Sequence, residues 1–203
     1  QGRESVNTFY NAVPEIVQRK MDELAAETGR SYKLFDYFGD PEAESIIISM
    51  GSGASTVRET VDWLNAHTDR KYGGIVVRLF RPFSIEHLVE TLPASTRRIA
   101  VLDRTKEPGS NGEPLYQDVM TALGQAVGDG RIAAMPLVCG GRFGLSSKEF
   151  TPAMVKAVVD NLEGAEPKRH FTVGINDDVT HLSLDVDESF NIEAPEVVRA
   201  MFY

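Results

Sequence analysis

The sequence predicts an α/β protein: an open αβα sandwich on a mostly parallel sheet of about five strands, with an N-terminal helix in front and an extended C-terminal arm behind. Three observations carry this prediction. Apolar runs of strand length alternate with helical segments of about 10 to 15 residues, the signature of right-handed βαβ units. The runs Ile46-Ile47-Ile48 and Ile99-Ala100-Val101-Leu102 are apolar at successive positions, as strands covered on both faces must be. Glycines, prolines and capping residues stand where elements should begin and end.

From Ser5 to Thr28, Val6, Phe9, Tyr10, Val13, Ile16, Val17, Met21, Leu24 and Ala25 recur at three- and four-residue steps. This is an amphipathic helix, interrupted near Pro14 and stopped at Gly29. Residues 1–30 thus form an N-terminal helical segment. Tyr32 to Phe38 alternates and is aromatic-rich, and Gly39-Asp40-Pro41 turns the chain into the buried strand Ser45–Met50. After Gly51-Ser52-Gly53 a helix runs from about Ser55 to Ala66, with Val57, Val61 and Leu64 on one face. Strands follow at Gly74–Phe80 and Arg98–Asp103, separated by a short helix that Ser84 caps. A long loop from Arg104 to Gly112 precedes the helix opened by Pro114, which runs to about Val127. Gly128-Asp129-Gly130 then turns into a fourth strand, Ile132–Val138, ending at Cys139-Gly140-Gly141. Thr151 and Pro152 start a last long helix with the stripe Met154, Val155, Val158, Val159 and Leu162, and Phe171–Ile175 is a short fifth strand. Residues 31–175 are therefore the α/β domain. Residues 176–203 turn acidic and lose periodicity, so they read as an arm closing on a terminal helix near Pro195, packed on neighbouring domains.

A formal charge of −9 and a pI near 5.0 argue against nucleic acid or an anionic membrane as the main partner, and no apolar run is long enough to span a bilayer. Cys139 is the one cysteine, which excludes an internal disulfide and fits a reducing cytoplasm. The chain opens without a methionine and ends abruptly, which reads as a piece of something longer.

Chemistry-bearing motifs are few. Gly51-Ser52-Gly53-Ala54-Ser55-Thr56 lies between strand and helix, the position of a phosphate loop, but Thr56 stands where a dinucleotide fingerprint needs its third glycine and no Walker lysine follows. It reads as a tight turn. Gly128-Asp129-Gly130, with Asn161 beyond it, superficially matches the magnesium and thiamine diphosphate motif, but it follows a helix instead of ending a buried strand. The ladder Asp185, Asp187, Ser189, Asn191 and Glu193 resembles a calcium loop, yet Phe190 replaces its turn glycine. His67, His87, His170 and His181 match no zinc spacing, and no histidine is placed to activate Cys139 or Ser146. No catalytic residue and no metal ligand is assigned. The loops after the strands hold Arg81, Arg104, Lys106, Arg142 and Lys148 against Asp103, Glu107, Glu113 and Glu149. They suit an anion or a partner's carboxylates, or simply ion pairs among themselves.

Several longer phrases point further: Tyr32-Lys33-Leu34-Phe35-Asp36-Tyr37, Met50-Gly51-Ser52-Gly53, Val77-Arg78-Leu79-Phe80-Arg81-Pro82-Phe83, and above all Leu102-Asp103-Arg104-Thr105-Lys106-Glu107-Pro108-Gly109. Gly141-Arg142-Phe143-Gly144-Leu145-Ser146-Ser147-Lys148-Glu149-Phe150 and His170-Phe171-Thr172-Val173-Gly174-Ile175 extend the match over nearly the whole chain. Together they resemble the pyruvate:ferredoxin (flavodoxin) oxidoreductase family. The resemblance implies its second domain, similar in fold to the carboxyl-terminal domain of transketolase-type enzymes. It also implies a parent that uses thiamine diphosphate, magnesium and 4Fe–4S clusters, decarboxylates pyruvate oxidatively, and hands electrons to ferredoxin or flavodoxin and acetyl to coenzyme A. A cluster needs about four cysteines, so none is held here. What the resemblance leaves to this piece is a non-catalytic scaffold contacting other domains of its chain and a second subunit. Arg104, Lys106, Arg142 and Lys148 are then candidate contacts for coenzyme A phosphates or for a domain interface. Two alternatives stay open: a free-standing module binding a small anionic metabolite, and the homologous domain of another parent such as a sulfite reductase flavoprotein subunit.

Overall fold

The isoleucine run lies at the centre of the sheet. In the computed structural model, which describes residues 1–176, 179–194, 196–198 and 200, a six-stranded sheet has the order β1-β3-β2-β4-β5-β6. Its strands are β1 (Phe35–Gly39), β2 (Ser45–Met50), β3 (Tyr72–Val77), β4 (Arg98–Asp103), β5 (Leu137–Arg142) and β6 (His170–Thr172). All pairings are parallel except that of β1 with β3, which places Phe35 opposite Val77 and Gly39 opposite Gly73. The five expected strands are present. The sixth comes from the alternating aromatic segment, added antiparallel at one edge.

The helices are α1 (Gly2–Ser5), α2 (Asn7–Thr28), α3 (Gly53–His67), α4 (Ile85–Thr91), α5 (Pro114–Gly128) and α6 (Pro152–Glu163), with a 3-10 turn at Leu145–Ser147. Successive strand residues point to opposite faces, which sorts the core into two layers. Ile47, Ala100, Leu102 and Cys139 pack against Val57, Val61, Val155 and Val158 of α3 and α6. Ile46, Ile48, Ile99 and Val101 pack against Leu88, Leu115, Val119 and Leu123 of α4 and α5, with Val17 and Met21 of α2 at the margin.

Against expectation, β3 ends at Val77 and not Phe80, β6 ends at Thr172 and not Ile175, and three larger differences follow. The α2 helix passes through Pro14 without a break, ending at left-handed Gly29, whose N–H donates to Ala25 O at 2.8 Å. The fourth expected strand is displaced: Ile132–Pro136 is irregular, and β5 begins at Leu137 and runs through Gly140 and Gly141. Pro136 cannot donate to a ladder. The glycines lie within the strand because a Cβ would meet the Tyr116 ring at 2.9 Å and the Phe171 ring at 2.3 Å. The described part of the arm folds back on the body. Thr172 N–H donates to Leu182 O and Leu184 N–H to Thr172 O, capping the β6 edge, while Leu184, Val186 and Phe190 cover the α3–α6 layer. Pro195, where a terminal helix was expected to begin, lies outside the described residues.

Candidate functional site

The chain leaves β2 for α3 on one face of the sheet and leaves its neighbour β4 for α5 on the other. Such a reversal opens a crevice at the carboxyl ends of the two strands, where open α/β sheets bind ligands. Here it is a cleft of about 360 Å³ lined by Ser52, Gly53, Thr56, Arg104, Lys148 and Glu149, among others. Arg104 follows β4 directly, and its Nε donates to Gly144 O at 3.3 Å. The far wall is a turn after β5 in which Gly144, Ser146 and Ser147 have φ of 60°, 56° and 59°. Two non-glycine residues in this left-handed region cost about 1–2 kcal/mol each. Gly53 answers to packing: a Cβ there would lie 2.7 Å from the Phe143 ring. The loop glycine thus serves the aromatic wall, in keeping with its reading as a turn.

Beneath the cleft lies a buried charged cluster. Asp103, the last residue of β4, is 1% exposed, and its two carboxylate oxygens accept the N–H groups of Leu115 and Tyr116 at 2.9 and 3.1 Å. It thereby satisfies the first turn of α5, whose own N-cap, Glu113, makes no side-chain capping bond. Glu113 turns to Arg142 instead, with Arg142 Nε donating to Glu113 Oε1 at 2.6 Å in a pair whose side chains are 13% and 3% exposed. Glu113 Oε2 has no hydrogen-bond partner. Burial pushes the Asp103 carboxyl above its usual range, the two backbone N–H bonds oppose that shift, and the negative charges of Glu113 and Asp118 add to it.

Of the four candidate cations, the structure brings Arg104 and Lys148 to one cleft. Lys106 is exposed in the loop toward Gly112 and does not line it. Arg142 is committed to Glu113, and so is withdrawn from solvent ligands. Arg81 pairs with Asp118. Asp103 and Glu113 were not singled out as structural groups from the sequence. The available signal was an aspartate ending an apolar strand before a helix that begins with proline.

The remaining motifs resolve into local structure. Asp129 is the C-cap of α5 and Gly130 has φ 69°, so that triplet is a helix stop. Asp187 Oδ1 accepts from the Ser189 N–H and hydroxyl at 3.0 and 2.6 Å, closing the acidic ladder on itself. Cys139 is buried within β5, and burial raises its thiol pKa against the opposing effect of Arg169. Among the described residues no group of three or more His, Cys, Asp or Glu side chains is placed to hold a metal ion, and no helix is long and apolar enough to cross a membrane.

Comparison with known proteins adds an identity to this geometry. Residues 43–143 match the family model described as pyruvate:ferredoxin oxidoreductase core domain II. The whole chain is 61% identical to a pyruvate-flavodoxin oxidoreductase of Trichormus variabilis, 60% to one of Rhodospirillum rubrum and 51% to a probable pyruvate-flavodoxin oxidoreductase of Escherichia coli. In each case the match covers 100% of this chain and 17% of the relative. Among solved structures, a 2-oxoglutarate:ferredoxin oxidoreductase from Magnetococcus marinus aligns with a TM-score of 0.43 at 20% identity, over 72% of this chain and 22% of that one. With domain II matched and whole-chain identities of 51–61%, the chain belongs to the pyruvate:ferredoxin (flavodoxin) oxidoreductase family.

Proposed function

We propose that this chain is a non-catalytic structural and interface domain of a multidomain cytoplasmic oxidoreductase. That enzyme decarboxylates pyruvate oxidatively, transfers acetyl to coenzyme A and passes electrons to ferredoxin or flavodoxin. The observation that carries the reading is the use made of the strand-end charges. Asp103, Glu113 and Arg142, at the edge where an open α/β sheet ordinarily works, are spent on holding α5 and β5 together. The residues do not fit the parent's other cofactors. Asp129 caps a helix end and is not at a strand end facing a pyrophosphate, and buried Cys139 by itself cannot ligate a 4Fe–4S cluster. Thiamine diphosphate, magnesium and the clusters are therefore assigned to other domains. The Arg104–Gly112 and Arg142–Glu149 loops face those domains or a second subunit.

A second reading has its own support. Arg104 and Lys148 converge on one cleft, have no ion-pair partner among the described residues, and are the group types that bind phosphate. In this reading the cleft contributes to the coenzyme A site. Thermal-shift titration of the 203-residue chain tests both, because any ligand of the native state raises its melting temperature. Thiamine diphosphate with magnesium, and pyruvate, are expected to give no shift, and a saturable shift with either refutes the non-catalytic reading. A saturable rise with coenzyme A that Arg104→Ala and Lys148→Ala abolish establishes the coenzyme A contact, and its absence confines the cleft to domain packing.

A further inference from the structure

We infer that the outward face of α2 is a docking surface for an apolar face elsewhere in the same polypeptide. This rests on the reading of the chain as one domain of a longer enzyme. The helix has 22 residues and none of them is buried. At 3.6 residues per turn its apolar side chains divide into two adjoining arcs. One carries Pro14, Val17, Met21 and Ala25, which are partly covered, with Val17 and Met21 packed at the margin of the core. The other carries Ile16, Phe9, Val13 and Leu24, with the N-cap Val6 in line, within about 80° of arc, and apart from partly covered Val13 its side chains are exposed. There Phe9 is 74% exposed, Ile16 and Leu24 44%, and Val6 40%; Tyr10 falls within the first arc but, near the start of the helix, is still 55% exposed. Lys20 falls within the outward arc but turns its ammonium onto Glu23 at 2.6 Å.

An amphipathic surface helix needs one apolar stripe to cover a core, and this one carries nearly twice that width. The bare side chains make a patch of roughly 500 Å², at the upper end of what a monomer leaves open. The stripe runs for about 27 Å at 1.5 Å per residue, the length of a helix-to-helix contact. The body holds the helix from about Glu15 onward, through Glu15 to His87 at 3.8 Å, through Gln18 to the backbone of Tyr32 and Leu34 and through Lys33 to Asp22. Residues 7–12 are all exposed, and they carry the aromatics Phe9 and Tyr10. The occupant assigned to it belongs to the same polypeptide, because the relatives keep most of their length outside this stretch. A neighbour joined by covalent chain meets the stripe at millimolar effective concentration without further affinity.

Hydroxyl-radical footprinting, read by mass spectrometry on the full-length enzyme and on the 203-residue chain in parallel, tests the assignment. Oxidation at Phe9 and Tyr10 is expected to be slower by about tenfold or more in the full-length enzyme, as at the dry core of an interface. Phe9→Asp together with Ile16→Asp is expected to restore fast oxidation at Tyr10 in the full-length enzyme. The same pair should leave the melting temperature of the chain alone within about 2 °C, since exposed positions contribute little. Equal oxidation in both proteins overturns the inference. So does protection of the chain alone that grows with its concentration and gives cross-links between isotopically distinct copies, which assigns the face to self-association. Either result leaves the non-catalytic reading intact, because that reading is decided by the thiamine diphosphate and pyruvate titrations.

Discussion

Replacing Asp103 by alanine removes the single acceptor group that satisfies the first turn of α5. Leu115 and Tyr116 would each keep a buried N–H without a partner, at about 1–3 kcal/mol apiece. Relief from holding a desolvated carboxylate offsets part of that cost. Burial already places the Asp103 pKa above its usual 3.8, so ionisation there costs more in the folded chain than in the unfolded one. The net loss expected is about 2–4 kcal/mol, a fall of roughly 5–15 °C in melting temperature for a chain of this size. Asp103→Asn keeps one acceptor, loses the charge and turns an amide toward the second N–H, so its cost should fall between wild type and alanine. Urea unfolding followed by far-UV circular dichroism measures all three. Because the folded pKa is raised, the folded state holds the proton more tightly and stability declines as pH rises from about 3.8 through the folded pKa. That decline should vanish in Asp103→Asn. An alanine variant within about 0.5 kcal/mol of wild type, the range of an ordinary surface substitution, would refute the view that this carboxylate anchors α5.

Further expectations follow from the same structure. Arg142→Ala strands Glu113 as a buried charge and should cost about 3–5 kcal/mol, whereas Arg142→Met with Glu113→Leu should cost distinctly less; equal losses in a double-mutant cycle would contradict this. Tyr37 donates to the Asp40 carbonyl, and burial, with Asp40's charge beside it, pushes its phenol up to about 12. Stability should therefore fall as pH rises from 10 to about 12, with a shallower fall in Tyr37→Phe, as read by unfolding at stepped alkaline pH. Gly39 has φ 93° and a Cβ there would stand 2.5 Å from the Tyr72 carbonyl oxygen. Gly39→Ala should thus cost more than the roughly 1 kcal/mol of an ordinary strained glycine site in the same assay. Cys139 should react with a thiol reagent only as fast as the chain unfolds, and rapid labelling of the native chain would show that β5 opens locally.

The layered architecture was legible because its signals are local and repeated. The β4 span, Arg98–Asp103, matches its sequence reading residue for residue, and the Ser84 and Thr151 caps form as expected. The β5 error has the opposite origin. Gly140 and Gly141 read as the point where the strand stops, but they lie inside it because two aromatic rings take the space their side chains would need. Gly141 and the Phe171 ring that takes its side-chain space lie 30 positions apart in the sequence.

The candidate site divides along the same line. Arg104, Lys106, Arg142 and Lys148 were all legible as cations following strands, since charge and position relative to a strand end are read directly from the chain. Their fates differ through contacts distant in sequence. Arg142 meets Glu113 across 29 positions, Arg104 reaches Gly144 across 40, and Lys106 stays in solvent. Family membership was likewise readable from contiguous phrases. By itself, then, the sequence determined the α/β class, most strand and helix positions and the family. The antiparallel place of β1, the crevice between β2 and β4, the buried Asp103–Glu113–Arg142 cluster and the bare stripe on α2 were decided by tertiary structure alone. Periodicity and capping are set by neighbours along the chain, whereas burial and pairing depend on which distant residues the fold brings into contact.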